Sequence, residues 1–235
     1  MEKASSLFEN LYKCIRQTAL GDPYKAADET YYKILVPEKN SKGKGVRKGY
    51  LWVVVGINTR MIYLLYDDGS RSERVILNEL GSCKGIIQSD GYSPYRKLES
   101  DAYPHITRIP CLQHIKRKFI DCGEDEPDAK RIVELINTLY QNEHKHKIGV
   151  DGWTVEQNLV HRKKYAPDIL GEIKDVLDDI EERGDLLPKS ELKEAITYLR
   201  NEWNAVVDIF NYGDTYLDNN IVERMNRYIS LSRKN

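Results

Sequence analysis

The period of the apolar residues changes character partway along the chain, and this restricts the fold more than any other feature. Up to about residue 111, short β-like runs alternate with brief helical stretches; from about 124 to 210 no strand signal occurs. Such a chain builds a sheet layered by helices, joined to a separate all-helical stretch. The strand signals are Thr30, Tyr31, Tyr32, Ile34 and Leu35 within 26–36, the run 50–57 (YLWVVVGI) and the run 61–66 (MIYLLY). Asn58, Thr59 and Arg60 separate the last two by a hairpin-sized gap, so three consecutive strands are expected antiparallel. A helix over 72–80 follows, with Val75, Ile76 and Leu80 inward. Next come a strand over 85–92 ending in Asp90-Gly91, a brief helix over 93–98 with Pro94 in its first turn, a strand over 105–111 and a basic helix over 112–119. Before all of these, Leu7, Leu11, Ile15 and Leu20 predict a short packed helix over 5–20. The expected fold is α/β, with a mixed five-stranded sheet and flanking helices.

Three amphipathic helices are expected in the strand-free block. Their inward faces are Ile132, Leu135, Ile136 and Leu139; Ile169, Ile173, Val176, Leu177 and Ile180; and Leu192, Ala195, Ile196, Leu199, Trp203, Val206, Val207 and Phe210. The acidic run 172–185 reads as a solvated face, and His144 and His146 as a solvated helix end. Trp52, Trp153 and Trp203 read most simply as packing residues. A last helix begins near Asp218, which can cap it, with Leu217 and Val222 at the positions of a hydrophobic staple. At helical spacing, Ile221, Val222, Met225 and Ile229 gather on one side, and Asn220, Glu223, Arg224 and Arg227 on the other.

A formal net charge of -1 gives no global signature for nucleic acid, so any such surface must be local. The densest basic stretch is the loop 37–48 with Lys39, Lys42, Lys44, Arg47 and Lys48; it reads either as a solvated hairpin loop or as a basic finger for phosphates. No apolar run is long enough to span a membrane, and no signal-peptide core follows Met1. Four cysteines without paired metal-ligand spacing suit reduced thiols, so a cytoplasmic protein is expected.

Asp28 shares a strand face with Thr30, Tyr32 and Ile34, Asp90 ends an apolar strand, and Glu223 stands on the polar face of the last helix. With 37 acidic residues many triplets can be drawn, and what sets Asp28 and Asp90 apart is their place in otherwise apolar strands. Clustered carboxylates repel and call for cations. Hard oxygen donors suit Mg²⁺ or Mn²⁺, and two such ions about 4 Å apart serve phosphodiester displacement.

Four motifs occur in order: Ala27-Asp28-Glu29-Thr30; Gln88-Ser89-Asp90-Gly91-Tyr92; Cys111-Leu112-Gln113-His114 with Arg117-Lys118-Phe119; and Asp218-Asn219-Asn220 through Glu223-Arg224 to Arg233-Lys234-Asn235. Together they resemble the catalytic domain of insertion-sequence-66 transposases. The resemblance implies a ribonuclease H-like fold with Asp28, Asp90 and Glu223 as a DDE metal-binding triad and two Mg²⁺ or Mn²⁺ ions. It implies cleavage of DNA at transposon ends and attack of a 3′-hydroxyl on target DNA. The implied division is an N-terminal helical segment (1–25), a core (26–122), an all-helical insertion (123–212) and a catalytic helix completing the core (213–235).

His114 would contact phosphate or sit behind the metal ligands, or else serve as a structural histidine. Asn220 would serve chiefly to start the helix or else stand beside phosphate; Arg224 and Arg227 would bind phosphate, as would Lys116, Arg117 and Lys118, which solvent exposure explains equally well. Implied partners are DNA and a second copy or other transposition proteins, with no membrane. The rival readings are a stand-alone nuclease of the same fold, and a silent fragment that only binds DNA or pairs with a full-length transposase. The family carries regions on both sides of these motifs, so this chain is expected to be a fragment, a catalytic domain or a degenerate copy.

Overall fold

The computed structural model describes residues 7–37, 43 and 45–231, with backbone only at 230 and 231. The elements are α1 (Glu9–Gly21), β1 (Tyr24–Leu35), β2 (Val46–Gly56), β3 (Ile62–Leu65), α2 (Glu73–Leu80), β4 (Gly85–Ser89), α3 (Ser93–Arg96), a 3₁₀ turn (Lys97–Glu99), β5 (Ile106–Pro110), α4 (Leu112–Ile120), α5 (Pro127–Glu143), α6 (Val155–Arg183), α7 (Glu191–Ile209) and α8 (Asn220–Leu231). They form two compact units, one of Met1–Arg108 with Asn219–Asn235 and one of Ile109–Asp218.

The five strands form one mixed sheet in the order β3-β2-β1-β4-β5. β1 is central: it pairs antiparallel with β2 from Lys25↔Gly56 to Leu35↔Val46, and parallel with β4 through Tyr24↔Ile86, Lys25↔Ile87 and Ala26↔Gln88. Because side chains alternate across a strand, β1 serves two cores. Ala27 joins Trp52, Val54, Ile87, Tyr95 and the inward residues Val75, Ile76 and Leu80 of α2. Ala26 joins Val53, Val55 and Val222 on the opposite face, with Ile221, Met225 and Ile229 packed around them. The apolar side expected for the last helix is therefore the side that docks. Burying Val222 alone contributes about 1.5–3 kcal/mol.

Several expectations are corrected. Leu7 and Leu11 are 80% and 55% exposed; α1 meets the core through Ile15, Ala19 and Leu20 and through Tyr12, whose ring lies 5.5 Å from that of Tyr63. The 37–48 loop is shorter than its composition suggests, because the β1–β2 ladder runs out to Leu35↔Val46 and takes Arg47 and Lys48 into β2. Lys42 and Lys44 lie outside the described residues. α6 starts at Val155, well before its apolar period, behind a capping box between Thr154 and Gln157, and continues through Pro167. The acidic run 172–185 is not merely solvated, since Arg131 pairs with Glu172 and Arg200 with Asp178 and Glu181. These pairs are exposed and contribute little each.

In the helical unit, Arg162 is 1% exposed and holds the segment that follows α7. Its guanidinium donates to both oxygens of Glu143 (2.8 and 2.6 Å), to the carbonyls of Ile209, Tyr212 and Thr215, and to Thr215 Oγ1 at 2.7 Å. Burial works to raise the Glu143 carboxyl, but the hydrogen bonds and charge of Arg162 outweigh it and hold the group below its ordinary value. Arg162→Ala removes the guanidinium from the Tyr212 and Thr215 carbonyls, and leaves Glu143 with the Tyr165 hydroxyl and the Ile209 carbonyl with the Thr215 hydroxyl as donors. It is expected to destabilise the unit by about 3–5 kcal/mol in urea unfolding. A depressed folded pKa stabilises fully above the unfolded value near 4.5 and is lost as pH falls through the folded value, so Glu143→Gln should remove that part of the acid sensitivity.

Candidate active site

Asp28 lies on the sheet face that α8 covers, two residues beyond the β1–β4 pair Ala26↔Gln88. Asp90 lies two residues beyond the same pair on the other strand, so the parallel register carries both carboxylates to one end of the sheet. Glu223 comes from the first turn of α8, next to the Val222 anchor. Burial pushes the Asp28 carboxyl up to about 7, and the neighbouring charges of Glu29, Asp90 and Glu223 push the same way. All three acids of the expected triad thus lie within electrostatic reach of one another's site at Asp28.

Hydrogen bonds orient the cluster. Asp28 Oδ1 accepts from the Glu29 backbone N–H at 2.8 Å, and Asp28 Oδ2 accepts from Asn226 Nδ2 at 2.7 Å. Asp90 Oδ1 accepts from the Tyr92 backbone N–H at 3.1 Å, and its backbone carbonyl accepts from Arg108 at 3.2 Å. Arg108 is itself buried and pairs with Glu99. α8 begins one residue later than expected: the carbonyl of Asn219, not of Asp218, accepts from the N–H groups of Val222 and Glu223. The Asn219 side chain leaves the helix end and donates to the Ala27 carbonyl at 3.1 Å, which ties the start of α8 to the strand that carries Asp28.

Glu29 points to the opposite face, with a side chain only 3% exposed. Burial and the charge of Asp90 raise its carboxyl, while Arg71 opposes them. Arg71 donates through Nε at 2.8 Å, Tyr95 donates to the other oxygen at 3.3 Å, and the guanidinium lies 4.1 Å from the Tyr92 ring centroid. Asn226, Glu29, Arg71 and Arg108 are the residues that sequence reading missed. Only Asn226 had a usable signal, standing three residues after Glu223 on the same helical face.

The remaining expected residues divide. Asn220, Arg224 and Arg227 are exposed on α8. Arg47 is held by Asp68, donating to its carbonyl at 2.8 Å and to its carboxylate, whereas Lys48 is exposed beside Lys33 on the neighbouring strand. His114, Lys116, Arg117 and Lys118 all stand on α4 of the helical unit, with His114 half-buried and Arg117 exposed. Lys116 lies 6.0 Å from the Tyr140 ring and Lys118 5.7 Å from the Tyr198 ring, so both ammonium groups sit over aromatic faces of adjacent helices.

An acid whose folded pKa is raised destabilises the fold once ionised. Without divalent metal, stability should therefore fall as pH rises from about 4 to about 7. Asp28→Asn should remove that slope and raise the urea midpoint at pH 8 relative to wild type, as followed by circular dichroism.

Among known proteins, the family model described as "Transposase IS66 family" matches residues 1–235. Two curated relatives come from Sinorhizobium fredii. "Uncharacterized protein y4jD" is 31% identical over 173 residues, 71% of this chain and 32% of the relative. "Uncharacterized protein y4qI" is 27% identical over 224 residues, 89% of this chain and 39% of the relative. The chain thus spans about a third of the length of these curated relatives. With the match running from the first residue to the last, the chain belongs to the IS66 transposase family.

Proposed function

We propose that the chain is the catalytic part of a DDE transposase with a ribonuclease H-like core, cutting DNA at transposon ends and joining them to target DNA in the cytoplasm. On this reading the helical residues between β5 and α8 are an insertion into that core. The observation that carries the reading is geometric: the β1–β4 register takes half-buried Asp28 and Asp90 to one end of the sheet, and Asn226, three residues after Glu223 on α8, donates to Asp28 at 2.7 Å, so like charges gather there. A fold keeps so unfavourable a cluster where function requires it.

The donor set fits a hard divalent cation, Mg²⁺ or Mn²⁺. Asp28, Asp90 and Glu223 offer carboxylate oxygens alone, and a cation would relieve the repulsion that raises Asp28. When bound, two such ions supply charge neutralisation at the attacking and leaving oxygens of the phosphodiester. The protein's own groups prepare that site. Asn226 fixes the rotamer of Asp28, and the Tyr92 N–H fixes Asp90. Arg71 retains Glu29 on the far face, leaving three carboxylates for metal. Arg224 and Arg227, exposed on α8, supply bidentate donors for phosphate, and Asn220, exposed in the first turn of the same helix, stands with them.

Calorimetry with Mn²⁺ tests the metal assignment: Asp90→Asn should lose at least about tenfold in affinity, and equal binding by both proteins would sink it. A duplex with a pre-cleaved 3′-hydroxyl end tests the chemistry. Wild type should yield joined product, and Glu223→Gln should lower its rate by about a hundredfold or more. Hydrolysed product alone would mark a nuclease, and unchanged activity in Asp28→Ala would mark a silent fragment.

A further inference from the structure

Where α5 hands over to α6, the helical unit carries a concentration of positive charge that the carboxylate cluster does not explain. The connecting loop contains Lys145 and Lys147, and the early turns of α6 contain Arg162, Lys163 and Lys164. Across 144–164 only Asp151 and Glu156 are acidic, and Arg162 is already neutralised by Glu143. The second half of α6 is the reverse, with seven acids against Lys174 and Arg183 over 168–183, and there neighbouring arginines pair with the acids. By contrast, Lys145, Lys147, Lys163 and Lys164 are exposed, and among the described residues none of them joins an ion pair.

The loop that carries two of these lysines is held in one shape. The His146 ring stacks on Trp153 at 3.8 Å between centroids, and His161 meets His146 edge-on at 5.2 Å. Trp153 Nε1 donates to Asn158 Oδ1 at 3.2 Å, and the backbone closes on itself through Gly149 N–H to Trp153 O and Trp153 N–H to Val150 O, both 2.9 Å. His146 is exposed, as expected, and its ring nonetheless stacks on Trp153, which serves as its platform. Fixing the loop beforehand lowers the ordering cost of any contact its lysines make.

We propose that this end of the helical unit is a DNA-backbone-binding surface, with Lys145, Lys147, Lys163 and Lys164 on phosphates and the Trp153–His146 stack holding the loop lysines in place. Lys145 donates to Asn142 Oδ1 at 2.8 Å, but none of the four ammonium groups faces an acid, and a polyanion is the ligand that they complement on a near-neutral chain; phosphate contacts release counterions from the duplex. The proposal rests on the reading of the chain as a protein that acts on DNA, and it adds a contact that does not depend on metal.

The test is fluorescence anisotropy of the full 235-residue chain with a labelled duplex of arbitrary sequence in EDTA, across a salt series. Replacing the four lysines by glutamine should weaken binding at least tenfold at low salt. It should also make the plot of log affinity against log salt shallower by about 3.6. A matched variant that replaces Lys13, Lys130, Lys174 and Lys189, all exposed, should lose far less. Trp153→Ala should weaken binding severalfold with the lysines intact. The proposal is overturned if the patch variant binds like wild type, or if the matched variant loses as much. It is also overturned if light scattering shows that the patch variant changes only self-association, since the surface would then join copies of the chain. The patch variant should bind Mn²⁺ as wild type does, so a failure of the metal assignment and a failure of this surface appear in different measurements.

Discussion

Like-charge repulsion at the middle of β1 is the constraint around which the sheet unit is built. Asp28 and Glu29 are consecutive, so the pleat sends them to opposite faces, and each meets a different solution. Glu29 receives its own cation: Arg71, stacked on Tyr92, gives it a charge-assisted partner inside the unit. Asp28 receives only neutral donors, one backbone N–H and the Asn226 amide, and burial with its acidic neighbours pushes it up to about 7. The difference separates a structural carboxylate from one left for an external cation. A fold selected for stability alone would replace Asp28 by an apolar residue matching Val53 opposite it.

α8 makes this arrangement specific. Its apolar side sits on Ala26, Val53 and Val55, so the helix's rotation is set by packing rather than by the charges it carries. A rotation by one residue, about 100°, would expose Val222 and turn Glu223 away from the sheet end. Asn219 adds a directional bond to the Ala27 carbonyl, fixing where along β1 the helix begins. Asn226 then follows Glu223 by three residues and reaches Asp28. Position, rotation and carboxylate orientation are therefore set by three different interactions on one short helix.

The sheet and the α8 face were legible in the sequence because apolar periodicity decides them: Val222 is buried, and Met225 and Ile229 pack half-buried beside it, as their spacing requires. The start of α6 was not legible for the complementary reason. Its buried stripe is Asn158, Arg162 and Ala166, which has helical spacing but is filled mostly by polar groups that hydrogen-bond inward. Periodicity of hydrophobicity is blind to such a stripe, and Pro167 suggests a break where the helix continues. The β1–β2 ladder was under-read for a similar reason: Arg47 and Lys48 look like loop residues, yet an antiparallel pair tolerates charged side chains on exposed strand positions. At the candidate site, Asp28 and Asp90 were readable as candidates from their apolar strands, and Glu223 from the family resemblance. Their partners were not, because Arg71 and Arg108 reach Glu29 and the Asp90 carbonyl across the fold rather than along it.

The buried Arg162 explains why a helical unit with an ample apolar core also carries a costly ion. The Ile and Leu residues lining α5, α6 and α7 recur at i and i+4, so a shift by one turn exchanges similar side chains for one another. Apolar packing alone discriminates poorly between such registers. The set of acceptors around Arg162 does not repeat: a carboxylate on α5, a threonine hydroxyl and three carbonyls between residues 209 and 215. A one-turn slip leaves a buried guanidinium facing side chains that cannot accept, a larger penalty than the loss of a few apolar contacts. The acceptors lie on the segment that leads, four residues later, to Asn219 and α8. The residue that selects the helical register therefore also fixes the course of the chain just before the helix that carries Glu223.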